Sequence, residues 1–259
     1  MSLPPNSPPI SGDYSSPNFN MRKGPPSMVV LHYTGMATGA EAMARLCDAQ
    51  AQVSAHYVVE EDGRIFRLVA EERRAWHAGL SYWKGETDIN DAAIGIEIVN
   101  PGHEFGYRDF PAVQIDAVIG LLDGIRARWD IADHRILAHS DVAPDRKTDP
   151  GERFPWEVLA RHGHGLWVTP DMPPEGVMGP PLGLGEGGLG VFSLQAALGK
   201  LGYNLLPGGP YDEATATIVT AFQRHWLPDQ IGTALEGRAD ARLRVTLMAL
   251  LRHITLLEV

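Results

Sequence analysis

Apolar residues change their spacing several times along this chain, and each change predicts an element. "MVVL" at 28–31 is a short continuous apolar run, the pattern of a buried strand. "GAEAMARLCDA" places Met43, Leu46 and Cys47 at helical spacing. "AHYVVEEDGRIFRLV" divides into two strands around Asp62-Gly63, a strong hairpin signal. "IGIEIV" alternates, with Ile94, Ile96 and Ile98 on one face and Gly95, Glu97 and Val99 on the other. Residues 111–129 carry Ile115, Val118, Leu122, Ile125 and Trp129 at intervals of three and four, the clearest helix. "RILAH" reads as a further strand and "FPWEVLARH" as a helix. The class predicted is α/β: a mixed central sheet flanked by helices.

The pattern breaks at both ends of this region. Residues 1–27 are rich in Pro, Ser and Asn and predict an extended lead-in. Between Gly163 and Gly190, fourteen of 28 residues are Gly or Pro, which excludes a helix or central strand. That stretch predicts a linker over 166–189, with Trp167 a candidate docked residue. It divides a domain at 28–165 from a helical one at 190–259. In the latter, Val191, Leu194, Leu198 and Leu201 share a face; so do Ile218, Phe222 and Trp226; so do Val245, Met248 and Leu251. Three short amphipathic helices predict a small C-terminal three-helix bundle. A linker of this composition also predicts that residues 1–175 fold alone, or else that Leu182, Leu184 and Leu189 dock the bundle on the larger domain.

Composition narrows the function classes. Of 259 residues, 44% are hydrophobic and 21% charged, as in a soluble globular protein. A formal net charge of -10 argues against nucleic acid as a partner. The single cysteine, Cys47, excludes an internal disulfide. The first twenty residues lack a basic region followed by an apolar one, and no apolar run reaches transmembrane length. As given, the chain reads as cytoplasmic, or periplasmic if a leader has been removed.

Candidate chemistry gathers in "LAHSDVAPDRKTDPGERFPW", residues 137–156. A catalytic zinc site usually takes three protein ligands and leaves one position open. His139 ends a strand, and Asp149 lies ten residues on, past Pro144, where the loop can fold back. His32, at the end of the "MVVLH" strand, is the candidate third ligand. Asp149 before Pro150-Gly151 is equally a turn former. Glu97, alone among Ile, Val and Gly, either faces solvent or occupies a cleft, where burial would raise its pKa toward that of a general base. Lys147 is either a surface charge or an oxyanion partner.

These residues sit in five ordered motifs: "VVLHYT", "SAHYVVEEDG", "RAWHAGLSYWKG", "IGIEIVNPG" and "AHSDVAPDRKTDPGERFPW". Together they resemble the zinc-dependent N-acetylmuramoyl-L-alanine amidases of the type-2 class, whose fold is shared with peptidoglycan recognition proteins. The resemblance spans residues 16 to 167. It implies zinc ligands at His32, His139 and Asp149, a catalytic glutamate at Glu97 and a transition-state lysine at Lys147. Trp76, His77 and Asn100 match positions lining the substrate cleft, although Trp76 is equally read as core. His56 also matches and is read as structural. The activity implied is zinc-dependent hydrolysis of the amide between N-acetylmuramic acid, or its 1,6-anhydro form, and L-alanine. The implied partners are peptidoglycan or soluble anhydro-muropeptides.

The last seventy residues resemble a peptidoglycan-binding domain of type 1, through "LQ..L..LGY", "YD..T" and "AFQRH". One departure is the loop "LPDQIGTALEGR" before the third helix. Two other readings stay open. A non-catalytic recognition protein would typically lack a zinc ligand, and a structural zinc site would usually be closed by a fourth.

Overall fold

A computed structural model describes residues 9–257 of the chain. The first elements are β1 (Ile10–Ser11), β2 (Phe19–Met21), β3 (Met28–Tyr33) and α1 (Gly39–Cys47). Next come β4 (Tyr57–Val59), β5 (Ile65–Arg67), β6 (Arg73–Ala75), α2 (Ile89–Ala92) and β7 (Ala93–Ile98). α3 (Gly102–Phe105), α4 (Ala112–Arg128), β8 (Ile136–Ala138), α5 (His139–Val142) and α6 (Trp156–Arg161) follow. The C-terminal helices are α7 (Leu189–Leu201), α8 (Glu213–Trp226) and α9 (Ala241–Leu257).

Six strands form one mixed sheet in the order β1-β5-β4-β7-β3-β8. β4 and β5 are the predicted antiparallel hairpin, and Gly63 supplies its left-handed turn residue at φ 83°. β4, β7, β3 and β8 run parallel. A sheet of parallel strands needs cover on both faces. On one face α4 packs Ile115, Val118, Leu122 and Ile125 against Val29, Leu31, Ile94, Ile96 and Ile98. On the other, α1 covers Val58 through Met43 and Leu46.

The segment expected as a lead-in is partly woven into the structure. β1 extends the main sheet beside β5, and β2 pairs antiparallel with β6. Residues 1–8 of that expectation lie outside the described residues.

The C-terminal helices cover the rest of the second face. Met28, Val30, Ala93 and Leu137 of the sheet, Ala78 and Trp83 of the loop beside it and Ile89 of α2 share one apolar cluster with Val191, Leu201, Tyr203, Phe222, Trp226 and Leu250. Trp167 packs against this cluster and the α4 cluster alike. Leu182 of the Gly/Pro-rich stretch bridges to Ala239. Leu184 and Leu189, considered as docking residues, are instead 58% and 84% exposed.

The faces read for α7 and α8 are buried, and the one read for α9 is buried only at Leu251. Leu243, Leu247, Leu250 and Ile254 form its seam with Leu251, while Val245 is half-buried and Met248 is 58% exposed. The steps of four, three and four from Leu243 to Ile254 follow a helix face more closely than the strict threes of Val245, Met248 and Leu251. Among the described residues no helix is long and apolar enough to cross a membrane.

Continuous apolar packing of the bundle on the sheet predicts that the two unfold together. Calorimetry of the full chain should therefore show one unfolding transition, and a chain ending at residue 175 should lose cooperative unfolding. Two separated transitions would contradict the shared core.

Candidate active site

Parallel pairing sets the site. In the β3–β7 register His32 stands directly opposite Glu97, and β4 places Val58 on the other side of Glu97. β8 aligns Ala138 with Leu31, so His139 follows where His32 does. Row mates in adjacent strands point to the same face. The histidines and the glutamate thus emerge together, at the carboxyl ends of parallel strands, where α/β sheets place their ligand sites.

The loop after β8 then returns as predicted. The Ser140 N–H donates to the Asp149 carbonyl at 3.0 Å, closing it. His32 Nδ1, His139 Nδ1 and Asp149 Oδ2 form a triangle with edges of 2.9, 2.9 and 3.0 Å. All three side chains are buried.

This donor set fits a metal ion. His139 Nε2 faces the Ala78 carbonyl at 3.1 Å. A carbonyl only accepts, so the ring proton sits on Nε2 and Nδ1 presents a lone pair. That lone pair and a carboxylate oxygen converge on His32 Nδ1. A cation satisfies all three donors at once, and the edges are close to the roughly 3.3 Å of a tetrahedral site with bonds of 2.0–2.1 Å. His32 Nε2 meets His77 Nδ1 at 3.1 Å, the outward hydrogen bond that orients a ligating imidazole. Burial, and next the neighbouring His139, lower the His32 pKa to about 4, which keeps it neutral as a ligand must be. Burial alone would raise the Asp149 carboxyl, but His139 and His32 outweigh it and hold it well below the usual carboxylate range. Among the described residues this His/Cys/Asp/Glu group has three members, the number typical of a catalytic rather than a closed structural site.

The cleft has a volume of about 420 Å³ and is lined by His32, Trp76, His77, Glu97, Lys147 and Asp149, among others. Glu97 Oε2 is enclosed and has no hydrogen-bond partner among the described residues. Burial first, and the Asp149 carboxylate second, push the Glu97 pKa well above its ordinary value, against the pull of Lys147. Trp76 is half-buried on the rim, with its indole N–H donating to Asn20 Oδ1 at 2.6 Å, so it is not a core residue.

Asn100 does not reach the cleft. It is 1% exposed; its Nδ2 donates to the Arg108 carbonyl and its Oδ1 accepts from the Gly102 N–H. Those bonds consume the side chain in holding a turn. His56, read as structural, is fully buried, and its Nδ1 accepts from the Gly95 N–H at 2.9 Å.

A model of the N-acetylmuramoyl-L-alanine amidase family matches residues 22–152, just over half of the chain. The chain belongs to this family. The amidase is 36% identical over 236 residues to N-acetylmuramoyl-L-alanine amidase AmiD of Escherichia coli K12, spanning 86% of this chain and 82% of that protein. The structure of E. coli AmiD with the substrate anhydro-N-acetylmuramic acid-L-Ala-D-γ-Glu-L-Lys superposes with a TM-score of 0.72 at 32% identity, covering 94% and 92% of the two chains. AmpDh3 of Pseudomonas aeruginosa, in complex with anhydromuramic pentapeptide, gives 0.72 at 29% identity, covering 98% and 99%.

Several features of the amidase site escaped the sequence. Tyr33, His103 and Thr148 line the cleft and are joined through the Tyr33 hydroxyl, 3.0 Å from both partners. No spacing links residues 70 and 115 positions from Tyr33. Gly95 did carry a signal, a glycine inside an apolar strand, which marks a close approach. A Cβ there would lie 2.4 Å from the His77 ring, so only glycine lets His77 lie on the sheet behind His32. Gly95→Ala should therefore destabilise the fold by about 1–3 kcal/mol through overpacking. It should also weaken metal binding by about 10–100-fold through the displaced His77. Chemical denaturation and metal competition measure the two effects, and an unchanged metal affinity would separate His77 from the site.

Proposed function

We propose that the amidase holds zinc through His32, His139 and Asp149 and hydrolyses the amide between N-acetylmuramic acid, or its 1,6-anhydro form, and L-alanine of the stem peptide. The observation that carries this is the convergence of three buried metal donors beside an unpartnered glutamate in an open cleft. Two nitrogens and one carboxylate oxygen suit zinc better than harder cations, which prefer all-oxygen sites. The bound muropeptides in the AmiD and AmpDh3 structures support the substrate class.

When bound, zinc supplies Lewis-acid polarisation and lowers the pKa of water to about 7. The rest falls to the chain's own residues. Glu97, with its elevated pKa and free Oε2, takes a proton from the attacking water and delivers it to the leaving L-alanine nitrogen. The Lys147 ammonium bears on the carbonyl oxygen as negative charge develops there. His77 holds the His32 ring, and Trp76 offers an aromatic wall to the muropeptide. This positional role stands beside the substrate contact expected of His77, which lines the cleft.

The bundle's proposed partner is polymeric peptidoglycan. In support, a groove of about 730 Å³ runs between α7 and α9, edged by Lys200, Met248 and Arg252. The catalytic unit would be served by soluble anhydro-muropeptides and by polymer alike.

Purified protein should carry about one zinc per chain, and His32→Ala or His139→Ala should abolish both zinc and activity. Glu97→Ala should keep zinc and substrate affinity and lose roughly 10²–10⁴ in turnover. Mass spectrometry of products, with sacculi and a soluble anhydro-muropeptide offered together, reads the bond cut. Full activity after exhaustive chelation would overturn the proposal. A variant Glu97→Ala without zinc would mean that this carboxylate is a ligand.

A further inference from the structure

The last turn of α8 reaches the loop that carries the metal donors. Asp141, two residues beyond His139, is fully buried. Its Oδ2 accepts from the Ala138 N–H at 2.9 Å, capping the turn on which His139 sits. The same oxygen lies 2.7 Å from His225 Nδ1, and Oδ1 accepts from the Tyr203 hydroxyl at 2.9 Å. Asp141 is therefore oriented by one backbone donor from its own loop and two side-chain donors from the bundle. Burial, and then Asp141 itself, raise the Tyr203 pKa well above its ordinary value, so the hydroxyl stays a donor.

Both bundle residues are themselves wedged in place. Tyr203 packs edge-on against Trp83, with centroids 5.0 Å apart, and the preceding carbonyl, of Gly202, accepts from the Lys84 N–H. His225 stacks on Trp156 with centroids 3.8 Å apart. The loop gains a further tie where the Tyr82 N–H donates to the Val142 carbonyl at 2.8 Å. Next to His225, Arg224 pairs with Glu152 at 3.6 Å, just past Asp149. Glu152 in turn accepts from His103, whose ring reaches the Tyr33 hydroxyl in the cleft wall. Consecutive residues of α8 thus hold the donor loop near both of its ends.

We infer that Tyr203 and His225 are positioning residues for the metal centre: through Asp141 they fix the turn that aims His139, so the helical bundle is part of the hydrolytic machinery as well as a candidate wall-binding unit. The inference rests on the zinc amidase reading above. Neither residue lines the cleft, so neither touches the substrate directly. Their loss should lower kcat on a small soluble anhydro-muropeptide and leave KM unchanged.

The test uses full-length protein and four variants, with zinc affinity measured by chelator competition and apo-protein stability by thermal melting. Tyr203→Phe keeps the ring against Trp83 and removes one donor. His225→Leu removes the other, and His225→Asn restores an N–H near the Nδ1 position. Leu250→Ala, in the bundle core and not among the hydrogen-bond partners of Asp141, reports destabilisation alone. Tyr203→Phe and His225→Leu should weaken zinc binding about tenfold, at the lower end of what partners behind metal ligands contribute. His225→Asn should recover most of that loss. Leu250→Ala should lower the melting temperature and leave zinc affinity unchanged. Wild-type zinc affinity in Tyr203→Phe and His225→Leu would overturn the inference while leaving the amidase reading intact. An equal loss in Leu250→Ala would likewise overturn it, because the effect would then be one of stability. If His225→Leu fails to fold, Tyr203→Phe decides alone. A wild-type protein that binds no zinc would overturn this inference and the reading beneath it together.

Discussion

The pairing of β3 with β7 at His32 and Glu97 is the constraint on which the site depends. Side chains alternate along a strand, so a slip of one residue would carry His32 to the α4 face and bring Leu31 into the cleft. What prevents the slip is apolar. Val29 and Leu31 share the α4 face with Ile94, Ile96 and Ile98, and every one of them is fully buried. Burial of such side chains is worth about 1.5–3 kcal/mol each. The row of His32 and Glu97 inherits its alignment from apolar residues on the opposite face of the sheet.

That row gathers charge in a poorly solvated place, and the environment sorts the two carboxyl groups into different roles. Asp149 faces two imidazoles and is held low. Glu97 lies in the same cleft, its Oε2 without a hydrogen-bond partner among the described residues, and burial together with Asp149 pushes it up. In the proposed roles, one carboxylate is thereby kept ionised as a donor and the other is poised to exchange a proton. Environments that push paired carboxyl groups apart are how a single site assigns base and partner. The histidines obey the same logic: burial keeps His32 and His56 neutral, each near a pKa of about 4, free to ligate or to accept a backbone N–H.

His32, Glu97, His139 and Asp149 were legible because each breaks a local pattern. A histidine ends an apolar strand, a carboxylate interrupts a run of isoleucines, and an aspartate stands before Pro-Gly. The hairpin at Asp62-Gly63 and the long helix α4 were legible from period alone. Asn100 entered only as a cleft position implied by the resemblance, and its side chain is spent on the Arg108 carbonyl and the Gly102 N–H. Periodicity and motif cannot say which hydrogen bonds a polar side chain has already made. Nor could they find Asp141, Tyr203 and His225, where the partners stand 62 and 84 residues from Asp141 and none is unusual in its own neighbourhood.

The Gly/Pro-rich stretch is silent on how the bundle meets the sheet, for a physical reason. Composition governs how stiff a connection is, and it carries no information on the surfaces that the connection joins. The sheet face bearing Met28, Val30 and Leu137 would be exposed without the bundle, and the bundle face bearing Leu201, Tyr203 and Trp226 would be exposed without the sheet. Apolar areas of that kind bind each other whatever tethers them, and the tether only raises their effective concentration. Once the two faces meet, polar groups at their margin become buried and must find partners. Asp141 lies at that margin, and its partners there are Tyr203 and His225. The contact that covers the sheet is therefore also the contact that braces the loop from His139 to Asp149, and neither follows from the composition of the segment between them.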